Sequence, residues 1–302
     1  MTHTGWRAAN CIALLAATAC STNAARVDLT PVVPSPTGVH HPGQFVWFDL
    51  VTDDVAAAKA FYGSLFGWQF EDVQGDGIVY SVVSHRGVRI AGIAPLDDDD
   101  VNVASARWLS LMSVEDVDAA AETVRRAGGS IDMGPLDNPT RGRLALVTDP
   151  QGASVVFLRS AGGDPPNLEE SDLVSGRWMW IELWARDASA AISLYQSVAG
   201  YGVQRTDVFQ SPDYRVLTRD GRPRAGVNQL PWPEVKPNWL PYIKVDDPAA
   251  TARRAEALGA TILLPPSQQA RNGSVALILD PTGAAFAIQR WPVDGGTRGG
   301  VR

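Results

Sequence analysis

DDVAAAKAFYGSLFGWQF, residues 53–70, is answered further along the chain by RDASAAISLYQSVAGYGV, residues 186–203. In each copy an aspartate precedes an alanine-rich run. There its carboxylate can accept the unpaired N–H groups of a first helical turn and meet the positive end of the helix dipole. Phe61, Tyr62, Leu65 and Phe66 recur at helical spacing. Gly67 then supplies the left-handed residue that ends a helix at Phe66, before Trp68 begins an extended segment. In the second copy Asp187 is the cap, Leu194, Tyr195 and Val198 form the apolar face, Gly200 is the exit and Tyr201 replaces Trp68.

The same order of elements recurs outward from these helices. FVWFDLVT, from Phe45, reads as a strand entering the first helix, and GIVYSVVSHRGVRIAGIAPL follows as two β-like runs, Ile78–Ser84 and Val88–Pro95, around a turn at His85-Arg86-Gly87. From Arg107 a strand, a helix headed by Asp116 with a Gly128-Gly129 exit, and two strands joined at Asp149-Pro150-Gln151-Gly152 repeat the pattern. The second half does this twice more and closes on a matching turn, Asp280-Pro281-Thr282-Gly283. Internal repetition at this scale predicts four βαβββ modules and an α+β fold.

FYGSLFGW after an Asp-capped, Ala-rich helix, with DPQGASVVFL and DPTGAAFAIQ later, resembles the vicinal oxygen chelate superfamily of glyoxalases, bleomycin-resistance proteins and extradiol dioxygenases over about residues 44–292. The resemblance implies that paired modules curl into one cup per half. A duplicated ferredoxin-like α+β fold is the alternative. The expected domains are 44–160 and 176–292, joined by a linker at 161–175 and followed by a tail at 293–302.

The resemblance also implies a divalent ion held by His and Glu on the first and last strands of a module. Here the His positions fall on Trp47, Leu109, Trp180 and Leu240, and the Glu positions on Val156 and Ala287, none of which carries a suitable donor. Of four histidines, His3 precedes the folded body, His40 and His41 fall in an expected tether, and His85 falls in a hairpin turn. No metal and no cofactor are therefore expected.

Strand residues two apart share a face, so Trp47 points with Asp49 and Trp180 with Glu182, by resemblance into the cups. A tryptophan wall suits flat or apolar ligands. A carboxylate in an apolar cup should have a raised pKa, and Asp49 and Glu182 are the candidate general bases, or else hydrogen-bond or cation partners. Core filling by the tryptophans, and satisfaction of the carboxylates by backbone or by an arginine such as Arg143, is the competing reading. Tyr242 is a further candidate lining residue, Arg141, Arg143 and Arg271 could meet an anion, and the matched Trp108 and Trp239 suggest a duplicated packing role. No G-x-S-x-G or phosphate-loop motif competes.

The N-terminus is of another kind. Arg7 precedes an apolar run, Ala8–Ala17, and Ala17-Thr18-Ala19-Cys20-Ser21 resembles a bacterial lipoprotein signal, in which residues 1–19 would be removed and Cys20 acylated. Ordinary cleavage with Cys20 incidental is the alternative. Cys11 and Cys20 are the two cysteines, so no disulfide would survive cleavage. Residues 20–43, rich in Thr, Pro, Ser and Val, read as a flexible tether to the membrane. With 26 basic against 33 acidic residues, the chain lacks the basic excess of a nucleic-acid partner. The expected partners are a small molecule and a membrane. The functions left open are an exported, lipid-anchored binder of small organic molecules, a lyase-, isomerase- or dioxygenase-like enzyme acting on a small organic substrate, and an envelope interaction module with degenerate cups.

Overall fold

A computed structural model describes residues 29–74, 79–96, 106–169, 172–206 and 213–292. The expected signal, Cys20 and the tail at 293–302 lie outside these residues. The first module comprises β1 (Phe45–Thr52), α1 (Val55–Phe66), β2 (Gln69–Gln74), β3 (Val79–His85) and β4 (Val88–Pro95). The second comprises β5 (Arg107–Ser113), α2 (Val117–Arg126), β6 (Ser130–Asn138), β7 (Gly142–Thr148) and β8 (Ser154–Ser160). The third comprises β9 (Trp178–Ala185), α3 (Ala188–Ala199), β10 (Gly202–Arg205), β11 (Arg215–Arg219) and β12 (Arg222–Gln229). The fourth comprises β13 (Asn238–Lys244), α4 (Pro248–Ala257), β14 (Thr261–Leu264), β15 (Val275–Leu279) and β16 (Ala285–Gln289).

The helix signals act locally as expected. Asp54 and Asp187 accept the backbone N–H of Ala57 and Ala190, while Gly67 and Gly200 sit at φ 72° and 64° and donate back to Gly63 and Gln196. Each half is one eight-stranded mixed sheet, β2-β3-β4-β1-β5-β8-β7-β6 and β10-β11-β12-β9-β13-β16-β15-β14. The modules of a half meet through their first strands, which pair antiparallel (β1 with β5, β9 with β13).

The alternation of the strands separates two kinds of core. One continuous apolar cluster runs through both halves and takes the buried faces of all four helices with one face of each sheet. The opposite face of each sheet carries its own cluster, around Trp47, Leu109, Leu111 and Leu146 in the first half and Leu240, Tyr242, Val275 and Ala287 in the second.

The halves meet by reciprocal contacts, the signature of an isologous interface. Tyr62 of α1 donates to Asp280 of the closing turn in the second half (2.9 Å), and Tyr195 of α3 donates to Asp149 of the equivalent turn in the first (3.3 Å). Trp108 and Trp239 each donate to one of these phenols, at 2.9 Å in both cases. Phe45 packs on Trp239 and Trp178 on Trp108, with centroids 4.8 and 4.9 Å apart. The matched tryptophans thus lock the junction between halves, and burial pushes both phenols upward in pKa, so they remain donors.

Two expectations for the N-terminal half need correction. Residues 29–43 are not a free tether. Leu29, Thr30, Val32 and Val33 are at most 8% exposed, and Leu29, Val32 and Val33 join the apolar cluster of the first cup. Burying a Leu or Val side chain contributes roughly 1.5–3 kcal/mol, which offsets the cost of ordering the segment. The His40-His41 pair is likewise packed, with the His41 N–H donating to buried Asp164 (2.7 Å) and His40 Nδ1 lying 3.8 Å from the same carboxylate. His85 ends β3 rather than forming the turn. It is 5% exposed, with its ring against Gly176.

Burial, then the charges of Arg86 and Arg177, hold the His85 imidazole below its ordinary pKa. The neutral form is therefore favoured on folding. The linked stability is complete above the unfolded pKa of about 6.5 and is lost as pH falls through and below it. Equilibrium unfolding between pH 7 and pH 5 is expected to show the native protein losing more stability than His85→Asn; equal slopes would refute the assignment.

Candidate functional site

The first strand of each half sets the site. Asp49 of β1 lies opposite Gly92 of β4, and Glu182 of β9 opposite Gly226 of β12. A tyrosine one strand further out reaches each carboxylate by lying across the glycine. Tyr80 donates to Asp49 Oδ1 at 2.6 Å, and Tyr214 to Glu182 Oε1 at 2.7 Å. The tryptophans join these sets. Trp47 Nε1 donates to Asp49 (2.8 Å) and to Tyr80 Oη (3.1 Å), while Trp180 Nε1 donates to Tyr214 Oη (2.8 Å).

An arginine from the loop before the penultimate strand of each sheet completes the constellation. Arg141, wholly buried, donates Nη2 to Tyr80 Oη (3.0 Å), sits 3.6 Å from Asp49 and lies 4.8 Å from the centroid of the Trp47 ring. Arg271 donates to both oxygens of Glu182 (2.7 and 2.8 Å) and to Gln289 Oε1 (2.7 Å), with its guanidinium over the Tyr214 and Tyr242 rings. Tyr242 Oη fills Glu182 Oε2 at 2.6 Å. Arg271 and Asn272 adopt positive φ, 49° and 54°.

The electrostatics follow from burial. Tyr80, Tyr214 and Tyr242 are pushed well above the ordinary phenol value, first by desolvation and then by the adjacent carboxylate. They are permanent donors. Desolvation alone would lower Arg271, but Glu182 overrides it and holds the guanidinium charged.

Every candidate lining residue from the sequence is accounted for. Trp47 and Asp49 come together in one cup, and Trp180, Glu182 and Tyr242 in the other. The carboxylates are not isolated in apolar cups as expected, because each faces a guanidinium. The partners are Arg141 and Arg271, not Arg143, which is bound at the surface to Asp118 (2.5 Å) and Asp137 (3.1 Å). Sequence reasoning missed Tyr80, Tyr214, Gly92 and Gly226. A signal was present: YSVVSHRGVRIAG and YRVLTRDGRPRAG carry the Tyr and the Gly at the same spacing.

Comparison with known proteins bears on this duplicated arrangement. The family model for the Glyoxalase/Bleomycin resistance protein/Dioxygenase superfamily matches residues 39–157, and that for the Glyoxalase-like domain matches residues 179–289. The "Putative glyoxylase CFP32" of Mycobacterium bovis and of Mycobacterium tuberculosis is 34% identical over 244 residues, covering 80% of this chain and 92% of theirs. The chain belongs to this superfamily. The anthracycline biosynthesis protein DnrV of Streptomyces peucetius is 33% identical over 260 residues, covering 82% and 93%. Among solved structures, the Mn(II)-bound glyoxalase from Novosphingobium aromaticivorans shares the fold at 19% identity and a TM-score of 0.55, each chain covered to 83%. A homoprotocatechuate 2,3-dioxygenase variant from Brevibacterium fuscum does so at 16% identity and 0.53, covering 87% and 73%.

The residues present do not fit the divalent ion of such relatives. Trp47, Leu109 and Val156 in one cup, and Trp180, Leu240 and Ala287 in the other, offer no metal-binding donor. The single carboxylate of each is already engaged, Asp49 by Tyr80 and Trp47 with Arg141 3.6 Å away, and Glu182 by two phenols and Arg271. Among the described residues no three His, Cys, Asp or Glu side chains converge. The fixed positive charge of each cup is a guanidinium.

Proposed function

We propose that this glyoxalase-superfamily protein binds flat, oxygen-bearing organic molecules in a cup whose charge is an internal arginine rather than a metal ion. The observation that carries the reading is the twice-built Trp, carboxylate, Tyr and Arg set. Its acceptor oxygens on Glu182 are filled by Tyr214, Tyr242 and Arg271, so the carboxylate holds the arginine in place. Aromatic rings and fixed donors in a concave site favour a planar ligand with acceptor oxygens. DnrV and DauV, relatives named for anthracycline biosynthesis, are consistent with that chemistry, since anthracyclines are flat polycyclic compounds bearing carbonyl and hydroxyl oxygens.

Thermal melts against planar aromatic carboxylates and quinones test this reading. Stabilisation that survives EDTA is expected, with no stoichiometric divalent ion in elemental analysis. A bound ion at one equivalent, or no stabilisation by any member of such a set, refutes it.

The reading extends to location. With Cys20 acylated after signal cleavage, the binder is held at the cell envelope, and a second acyl chain makes such an anchor stable. Cys20→Ala is expected to move the protein from the membrane fraction to the soluble one; retention at the membrane refutes lipidation there.

A further inference from the structure

The two cups are built alike, yet they are covered differently. In the first, Leu29, Val32 and Val33 pack onto Trp47, Leu146, Met133 and their neighbours, and these three cup residues are 1%, 1% and 6% exposed. In the second, the equivalent Trp180, Leu277 and Leu264 are all partly exposed. Among the described residues the apolar cluster of the second cup includes nothing from outside its own two modules.

The covering segment is secured along its length. Thr140 Oγ1 donates to the Leu29 carbonyl, and the N–H groups of Thr37 and Gly38 donate to Gly162 O at 2.8 and 3.1 Å. His41 N–H donates to Asp164, which also takes the hydroxyls of Ser113 and Ser160. Tyr201 Oη reaches Gly43 O at 2.6 Å. Pro31, Pro34 and Pro36 lower the entropy lost when the segment settles.

Both cups hold buried donors without a partner, Arg141 Nε and Nη1 in the covered one and the Gln289 amide in the open one, so what separates them is the cover. Gln289, 1% exposed, shares the cup face of β16 with Ala285 and Ala287, while Phe286 and Ile288 face the other core. Arginine only donates, so the atom facing Arg271 is the amide oxygen, and Nε2 is left buried without a partner.

We infer that the first cup is filled by the chain's own residues 29–33 and that ligand binding belongs to the second, where Trp180 and the Gln289 amide take a flat aromatic carrying an acceptor oxygen. This rests on the small-molecule reading above and assigns it to one half. The first half becomes a scaffold whose ligand is permanent and covalent to it.

Calorimetric titration of the full chain with 2-naphthoate tests the assignment. One equivalent is expected, weakened at least tenfold by Trp180→Ala, and Val32→Asp/Val33→Asp is expected to gain a second equivalent at the uncovered cup. Hydrogen exchange on the unaltered chain does not depend on that variant folding. Naphthoate should protect residues 178–185 and 285–289 and leave 45–52 unchanged. Two equivalents in the unaltered chain, protection at 45–52, or a single equivalent in the folded double variant overturns the assignment while leaving small-molecule binding intact. No binding to either protein overturns the small-molecule reading and this assignment with it.

Discussion

Arg271→Met is expected to destabilise the fold by about 3–5 kcal/mol, the cost of leaving a buried charge without its partner. Glu182 is wholly buried, and Arg271 supplies two of its four hydrogen bonds. Removing the guanidinium leaves a carboxylate that two neutral phenols cannot compensate. Glu182→Gln/Arg271→Met removes both charges, keeps an acceptor for a tyrosine, and should recover most of the loss. Urea unfolding at pH 7 reads the difference. A single variant within about 1 kcal/mol of the native protein, or a double variant as unstable as the single, would show that the pair is not what holds this cup.

The second large effect is steric. A Cβ on Gly92 would stand 1.8 Å from Tyr80 Oη, 2.2 Å from its Cζ and 2.5 Å from Asp49 Oδ1. On Gly226 it would stand 2.0 Å from Tyr214 Oη and 2.6 Å from Cζ. Neither ring can retreat, because Trp47 and Arg141, or Trp180 and Arg271, lie against it. Gly92→Ala is expected to cost at least about 3 kcal/mol, the upper end of ordinary overpacking. Tyr80→Phe/Gly92→Ala should be no better, since the ring carbon still clashes, whereas Tyr80→Leu/Gly92→Ala should recover part of the loss. Rescue by phenylalanine would mean that the hydroxyl alone sets the glycine requirement.

The modules and helix caps were legible because they are local. Asp54 with Gly67 and Asp187 with Gly200 bound a helix through contacts three or four residues away, and the period-two strands announce their own faces. That Trp47 shares a face with Asp49, and Trp180 with Glu182, followed from that alternation, while the family resemblance implied that this face lines the cups. Tyr80 and Tyr214 did not, because their role depends on crossing a neighbouring strand. Choosing Arg141 over Arg143 depends on which way a loop turns, and two arginines two residues apart look alike in sequence. His85 at a strand end read as part of a hairpin turn because Gly176, which lies against its ring, is remote in the chain.

The sequence by itself determined the four-module architecture, the duplication and which residues share a strand face, since short-range hydrogen bonding and strand alternation are written in neighbouring residues. Only the tertiary structure decided what those side chains meet. Pairing carboxylate with guanidinium, laying a tyrosine over a glycine and seating residues 29–33 in one cup all join positions far apart in the chain. Burial then turns each of these meetings into an energetic requirement, because a charge or an apolar face removed from water needs a specific partner.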